Sequence, residues 1–318
     1  VHSYFALRKW SCAPDAHGIM RFCLNGKPIL LNGLLDQGYW PDGLYTPPSD
    51  GAVVRELQTI KELGFNLLRK HAKIEPERWY YHCDKLGIIV WQDMVNGGGA
   101  YPMWYVTYLT NALQPLMRHA PDGKLLWGFL GRGSAHSREE YARELADTAA
   151  ALGRHPCIGC WVPFNEGWGQ FDAAKMCQLI NGLDTTRTID HASGWHDQSI
   201  GQIKSLHVYF REYKFKPDKL GRAVVLSEFG GYNLPVAGHT WNAKNFGYKG
   251  YQTPEALGEA VRKLYETQII PARKAGLAAD VYTQLSDVED ELNGLLTYDR
   301  KVVKMAPEVM RDIVNVGK

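Results

Sequence analysis

Residues 49–93 read SDGAVVRELQTIKELGFNLLRKHAKIEPERWYYHCDKLGIIVWQD and carry two helix–strand units in succession. Ser49 and Asp50 are able to cap a helix whose apolar positions Val53, Val54, Leu57, Ile60 and Leu63 recur at spacings of three and four. Gly64 stops it. The short apolar run Asn66–Arg69 then reads as a strand. Pro76 sits at an early helical position before Trp79, Tyr80 and Cys83, and Ile88–Asp93 is a further strand. Strands alternating with helical patterns are the mark of a parallel sheet.

The same alternation extends in both directions. Upstream, Pro28–Gly33 is the first strand, so Asn66–Arg69 is the second and Ile88–Asp93 the third. A long irregular stretch with Gly97-Gly98-Gly99 and several aromatics follows, and Ser137-Arg138-Glu139-Glu140 forms a capping box for a helix through Ala151. Ile158–Asn165 is strand four, with Phe171–Leu183 its helix. Thr188–Ala192, Ser205–Val208 and Ala223–Ser227 are strands five to seven. Thr253–Lys274 is helical, ended or kinked at Pro271. Asp280–Leu285 is strand eight, and an amphipathic helix begins near Ala306. Eight such units predict an α/β fold of the (β/α)8 TIM-barrel type. No helix is visible between strands five and six. The alternative, an open doubly wound sheet, lacks a glycine-rich phosphate loop after strand one.

Composition narrows the functional classes. Of 318 residues, 45% are apolar and 22% charged, which excludes a disordered chain. No apolar run is long enough to span a bilayer. A net charge of +2 leaves no electrostatic footprint for nucleic acid or an anionic membrane. The 10 Trp, 17 Tyr and 10 Phe serve a core, and some of them suit a pocket for a ligand with flat apolar faces, such as a sugar. Six cysteines form no compact disulfide framework. Cys157 and Cys160 fall in a strand-like run, where positions three apart face opposite sides, so they read as buried thiols. Val1 follows no initiator Met or signal-type apolar core, and Ser3–Trp10 resembles a strand fragment of something preceding it. Localisation, bacterial cytoplasm or periplasm, is not legible from this start.

In a barrel of this kind the active site lies at the C-terminal ends of the strands. The ionisable and amide residues there are Asp36 after strand one, Arg69 and His71 after two, Asp93 after three, Asn165 and Glu166 after four, Tyr209 after six, Glu228 after seven, and Gln284 with Asp287 near eight. Glu166 lies in Trp161-Val-Pro-Phe-Asn-Glu-Gly-Trp168, and Glu228 in Val225-Leu-Ser-Glu-Phe-Gly-Gly231. A carboxylate directly after an apolar strand is awkward to solvate. Each glutamate alone could be a structural partner of an arginine. Two at matching positions suggest the pair that cleaves a glycosidic bond, one protonating the leaving oxygen and the other attacking the anomeric carbon or activating water.

The run Asn66-Leu-Leu-Arg69-Lys-His71, then Trp79-Tyr-Tyr-His-Cys-Asp-Lys-Leu-Gly87, then Asn165-Glu166 and Ser227-Glu228-Phe-Gly230, together resemble glycoside hydrolase family 2. That family includes β-galactosidases, β-glucuronidases and β-mannosidases. The resemblance extends from Tyr4-Phe-Ala-Leu-Arg-Lys9 to Gly294-Leu-Leu-Thr-Tyr-Asp-Arg-Lys301. It implies that residues 1–22 end a preceding immunoglobulin-like β-sandwich domain and linker, and that 23–318 form the catalytic barrel. It further implies an exo-acting, retaining, cofactor-free hydrolase with Glu166 as acid/base and Glu228 as nucleophile. Asn165 would bind the sugar 2-hydroxyl, while Tyr209 and Arg69 would orient Glu228. Glu166 would need an apolar wall to stay protonated, from Trp161 or Trp168. His71, Asp36 and Asp93 are candidates for hydroxyl recognition, each with the alternative of a helix-capping Asp or a backbone-satisfied His, and His207 and Gln284 follow them.

Glucuronidases of the family use an Asn-x-Lys motif before the Gly…Thr-x-Asp-Arg segment. This chain has Glu291-Leu292-Asn293 there, and a glutamate would repel a sugar carboxylate. Asn242-Ala-Lys244 is out of register and reads as a loop. The expected substrate is therefore a glycoside or oligosaccharide ending in a neutral hexose, galactose first. Arg69-Lys70-His71 is one residue shorter than the Arg-x-x-His of the best-known galactosidases, and Asp36-Gln37 replaces a common His or Asn. β-Glucuronidase or another family specificity is the alternative within the class. A catalytically silent carbohydrate-binding barrel is the alternative outside it, and no metal-ligand cluster is visible in the sequence.

Overall fold

The computed structural model describes residues 3–242, 244–246 and 249–316. Eight parallel strands carry the chain around a nearly closed barrel: β1 (Leu31–Asp36), β2 (Leu67–Lys70), β3 (Ile89–Asp93), β4 (Ile158–Val162), β5 (Thr188–Ile189), β6 (Ile203–Val208), β7 (Ala223–Gly230) and β8 (Ala279–Thr283). Hydrogen bonds run in the order β5–β4–β3–β2–β1–β8–β7–β6, so the one seam without a ladder lies between β5 and β6. The two-residue β5 is followed by Asp190–Gln202, rich in Gly, Ser, His and Asp and without a helix, and its pairing with the β4 side continues only as an isolated bridge between Asn165 and Ser193.

Alternation along each strand sorts side chains into two layers. Leu31, Leu35, Leu67, Trp91, Cys160, Val162, Ile203, Ala223, Val225, Ala279 and Val281 fill the barrel interior. Leu34, Leu68, Val90, Ile158, Trp161, Leu226 and Tyr282 point outward and pack against the surrounding helices. These are α1 (Asp50–Glu62), α2 (Glu77–Leu86), α3 (Ala135–Leu152), α4 (Ala173–Leu183), α5 (Pro254–Leu264) and α6 (Pro307–Asn315). Cys157 joins the outer layer and Cys160 the inner one, and all six thiols are free. At the N-terminal mouth, Trp10–Pro14 pairs antiparallel with Met20–Leu24. Phe22 from this hairpin enters the inner layer, its ring 5.3 Å from that of Trp91, and Trp10 N donates to Thr186 O at 2.9 Å. The interior is thereby plugged at that end.

Several element limits differ from the sequence reading, each for a local reason. The first strand begins at Leu31 and runs on to Asp36. Gly33, read as the last residue of the strand, is a close approach inside it, where a Cβ would lie 2.7 Å from the Leu67 side chain. Helix α3 starts earlier than the capping box predicts: Ser134 accepts from Ser137 N, and Ser137 lies within the first turn and takes a bond from Arg132. The long helix from Thr253 is α5, then a π-helical turn Tyr265–Ile269, then Ile270–Ala275. Pro271 supplies no N–H, and the widened turn directly precedes it. Between β6 and β7 no helix forms among the described residues, so the intervening helices are fewer than eight units imply. In Asn242–Lys244, Lys244 N donates to Asn242 Oδ1, as a loop would have it, while Ala243 lies outside the described residues.

Candidate active site

The interior layers change character toward the C-terminal ends. On β2 the inward positions are Leu67 and then Arg69, and on β3 they are Trp91 and then Asp93. Arg69 is fully buried and every one of its N–H groups has an acceptor. Nε and Nη2 donate to the two Asp93 oxygens at 3.0 and 2.9 Å. Nη2 also reaches Asn165 Oδ1 at 2.7 Å. Nη1 reaches Glu228 Oε1 at 2.9 Å and the Ser227 carbonyl at 3.2 Å. A buried guanidinium is tolerated because two carboxylates and these further acceptors replace its water. Burial pulls the Asp93 carboxyl upward, and Arg69 with His71 outweighs it and leaves the group below its ordinary value.

Glu228 owes its direction to a bulge. The β6–β7 register shifts between Leu226 and Glu228, so Ser227 and Glu228 both point inward before Phe229 returns to the outer layer. The Tyr209 hydroxyl, also 3.1 Å from Thr283 Oγ1, donates to Glu228 Oε2. Glu166 stands just past β4, in a turn closed by Trp168 N donating to Asn165 O at 2.9 Å. Its φ is +54°, a left-handed conformation that costs a non-glycine residue on the order of 1–3 kcal/mol. Gly167 follows at φ +78° against His196, where a Cβ would lie 2.5 Å from the ring.

The two glutamates and His207 each place a side-chain oxygen or nitrogen within 4.8 Å of the others. Burial, and then the charge of Glu228, push the Glu166 carboxyl well above its ordinary value, with Arg69 opposing and Glu291 adding to the rise. A carboxyl held neutral beside another bound by a guanidinium and a phenol is the electrostatic arrangement that proton donation next to a carboxylate requires. The same three groups have metal-ligand chemistry. The Arg69 guanidinium, 2.9 Å from Glu228 Oε1 and 3.3 Å from His207 Nε2, places a fixed positive charge among them, which favours protons over a cation.

The remaining candidates fall into two groups. Asn165 spends Oδ1 on Arg69, and its Nδ2 makes no hydrogen bond among the described residues. Tyr209, Trp168 and His71 are partly exposed, and His71 Nδ1 lies 3.1 Å from Asp93 Oδ2. Asp36, Arg69, Asp93, His207 and Gln284 are buried. Asp36 accepts from Lys70 at 2.5 Å, and Gln284 joins Gln37, Glu291 and Asn293 at 2.7–3.0 Å. Trp161 points into the outer layer with Nε1 on Asp184, and the burial of Glu166 comes instead from the barrel itself. Sequence reading missed a hydroxyl layer beneath the site: Ser193 and Ser205 both donate to Ser227 Oγ, at 2.8 and 2.5 Å. Below it Asp190 is wholly buried, with neither carboxyl oxygen in a hydrogen bond. The available signal was a serine at an inward position of each of the apolar runs Ile203–Val208 and Ala223–Gly230.

Residues 19–316 match the family described as glycosyl hydrolases family 2, TIM barrel domain. A β-galactosidase of Photobacterium profundum is 27% identical over 128 residues, covering 37% of this chain and 12% of the relative. An exo-β-D-glucosaminidase of Amycolatopsis orientalis is 30% identical over 104 residues, 30% of this chain and 10% of the relative. Among solved structures, the β-glucuronidase of Bifidobacterium dentium superposes with a TM-score of 0.68 at 16% identity, over 98% of this chain and 50% of its own. The matched stretches thus span about a tenth of the curated relatives and half of the solved one. No helix among the described residues is long and apolar enough to cross a membrane.

Proposed function

The chain belongs to glycosyl hydrolase family 2, and from that premise we propose that it is a retaining, exo-acting β-glycosidase removing a neutral hexose, galactose first. Glu228 attacks the anomeric carbon while Glu166 protonates the departing oxygen. The glycosyl–enzyme ester is then hydrolysed by a water that Glu166 deprotonates. The observation that carries this reading is the separation of the two carboxyl groups, under 4.8 Å between oxygens. Retaining pairs stand about 5–5.5 Å apart, and inverting pairs need roughly 6.5–9.5 Å to admit water. Arg69 and Tyr209 hold the two Glu228 oxygens, which aims the carboxylate and stabilises its charge. Asn165 offers Nδ2 to the sugar 2-hydroxyl. The same proposal takes the chain up to the hairpin as the end of a preceding β-sandwich domain and its linker, an earlier boundary than residue 22, because Trp10–Leu24 plugs the barrel and seats Phe22 in its inner layer.

Glu291 supports an uncharged sugar. It accepts from Gln284 at 2.9 Å and Gln37 at 3.1 Å, close enough to Glu228 and His71 to feel both charges. A carboxylate there disfavours a uronic acid. It equally favours an ammonium group, so a terminal amino sugar, as in the name of the A. orientalis relative, is the second reading.

The test is hydrolysis of aryl β-galactoside, glucoside, mannoside, fucoside, glucuronide and glucosaminide by this chain and by Glu228→Ala. Galactoside turnover with retained configuration, lost in the variant, is expected. A 2-deoxy-2-fluoro galactoside should add its glycosyl mass to the peptide containing Glu228. Fastest turnover of the glucuronide would overturn the reading of Glu291. Sugar binding without turnover or labelling would identify a silent carbohydrate-binding barrel instead.

A further inference from the structure

Inward positions along β6 are Ile203, Ser205 and His207, so His207 rises from the apolar layer directly beneath the two glutamates. Its side chain has no exposed surface. Nδ1 lies 2.7 Å from Glu166 Oε1. Nε2 faces Arg69 Nη1 at 3.3 Å and Ser193 Oγ at 3.1 Å. Glu228 Oε1 is 3.4 Å from Nε2 but already accepts from Arg69. Arg69 Nη1 can only donate to Nε2, whereas Ser193 Oγ and Glu228 Oε1 can accept from it, so these contacts accommodate a ring proton on either nitrogen, and the short contact to Glu166 decides between them.

Burial, with Arg69, His71 and Arg118 around the ring, pushes the imidazole well below its ordinary value, so it is neutral at physiological pH. The charged and titratable groups facing the pair are Arg69 from β2, Glu228 from β7, Arg118, and Glu291 and His71 at the mouth. With the ring proton on Nδ1, Glu166 Oε1 receives an N–H and carries no proton of its own on that side. Oε2 makes no hydrogen bond among the described residues and keeps accessible surface.

We propose that His207 is a positioning residue for Glu166: its Nδ1–H pins Oε1, so that the proton Glu166 transfers resides on Oε2, toward the pocket. The inference rests on Glu166 as the acid/base. In the first step the Oε2 proton passes to the leaving oxygen while Oε1 stays bound. In the second, Oε2 takes a proton from water, and the imidazole changes neither charge nor tautomer.

Two experiments test it. Long-range 15N–1H spectra of the chain at pH 7, with His207→Asn for assignment, should show a neutral ring protonated at Nδ1. The opposite tautomer or an imidazolium would overturn the proposal whether or not the chain turns over substrate. The second experiment compares wild type, His207→Phe, His207→Asn and Glu166→Ala on aryl glycosides of graded leaving-group acidity. His207→Phe should lose about tenfold more on poor leaving groups than on good ones. The loss of a donor to the charged form should also move the basic limb of its kcat/KM profile to higher pH. His207→Asn, whose amide reaches the Nδ1 position, should restore both. Equal losses across leaving groups in His207→Phe, while Glu166→Ala discriminates, would make His207 merely structural. No discrimination in Glu166→Ala would instead remove the acid/base reading.

Discussion

At its N-terminal end the barrel interior is filled by Phe22, Leu31, Leu67, Trp91, Ile203 and Ala279, whereas at its C-terminal end, on the same strands, it holds Arg69, Asp93, His207, Ser227 and Glu228. Both ends are buried. The lower one needs only volume filled without polar atoms, while the upper one needs every charge matched to a partner. The lower end therefore tolerates exchange of one apolar group for another of like size. The upper end responds to the loss of any one partner, because the groups left behind are already out of water.

The sharpest test of that contrast is Arg69→Met. It strands Asp93, Glu228 and Asn165, and should destabilise the fold by about 3–5 kcal/mol and lower kcat/KM about a thousandfold or more. Denaturant melts and initial rates on the same preparation check both. Unchanged stability would mean that the upper network is not held by its charges.

Trp91→Ala probes the lower end and should cost roughly 3–5 kcal/mol of stability. Its kcat/KM per folded molecule should stay within about tenfold of wild type, since no donor or acceptor of the site is lost. A drop as large as that of Arg69→Met would show the two ends to be one unit.

Asp190 marks the border between them and gives the smallest, pH-dependent effect. Burial raises its carboxyl to about 6, against the pull of the Arg69 charge. A group raised on folding contributes stability below its unfolded value, near 4, that is lost as pH rises through 6. Asp190→Asn should therefore become more stable relative to wild type between pH 4 and 6, by up to about 3 kcal/mol. A pH-independent difference between the two melting curves would show that Asp190 finds a partner in the folded state.

Much of the upper end was legible because strand ends are legible. Apolar runs bounded by Asp36, Arg69, Asp93, Glu166 and Glu228 put these residues at one mouth of the barrel as soon as the strands were taken as parallel. Roles within that mouth were less so. Asp36, read as a sugar ligand or a helix-capping Asp, is bound by Lys70, and of the two tryptophans read as a wall for Glu166, Trp161 belongs to the outer layer. Both outcomes are matters of direction. Which face a side chain takes depends on register, and in β7 a single bulge turns Glu228 inward beside Ser227.

The order of elements and the presence of two carboxylates at strand ends follow from the sequence alone, since periodicity and capping act between residues a few positions apart. The distances that make a site of them were decided by the tertiary structure. Arg69 meets Glu228 and Glu166 meets His207 across separations of 159 and 41 residues, which barrel closure and strand stagger alone bring within 3 Å. The hydroxyl layer, the Phe22 plug and the unlaced seam between β5 and β6 have the same origin: they are contacts between strands, and no local pattern records which strands will meet.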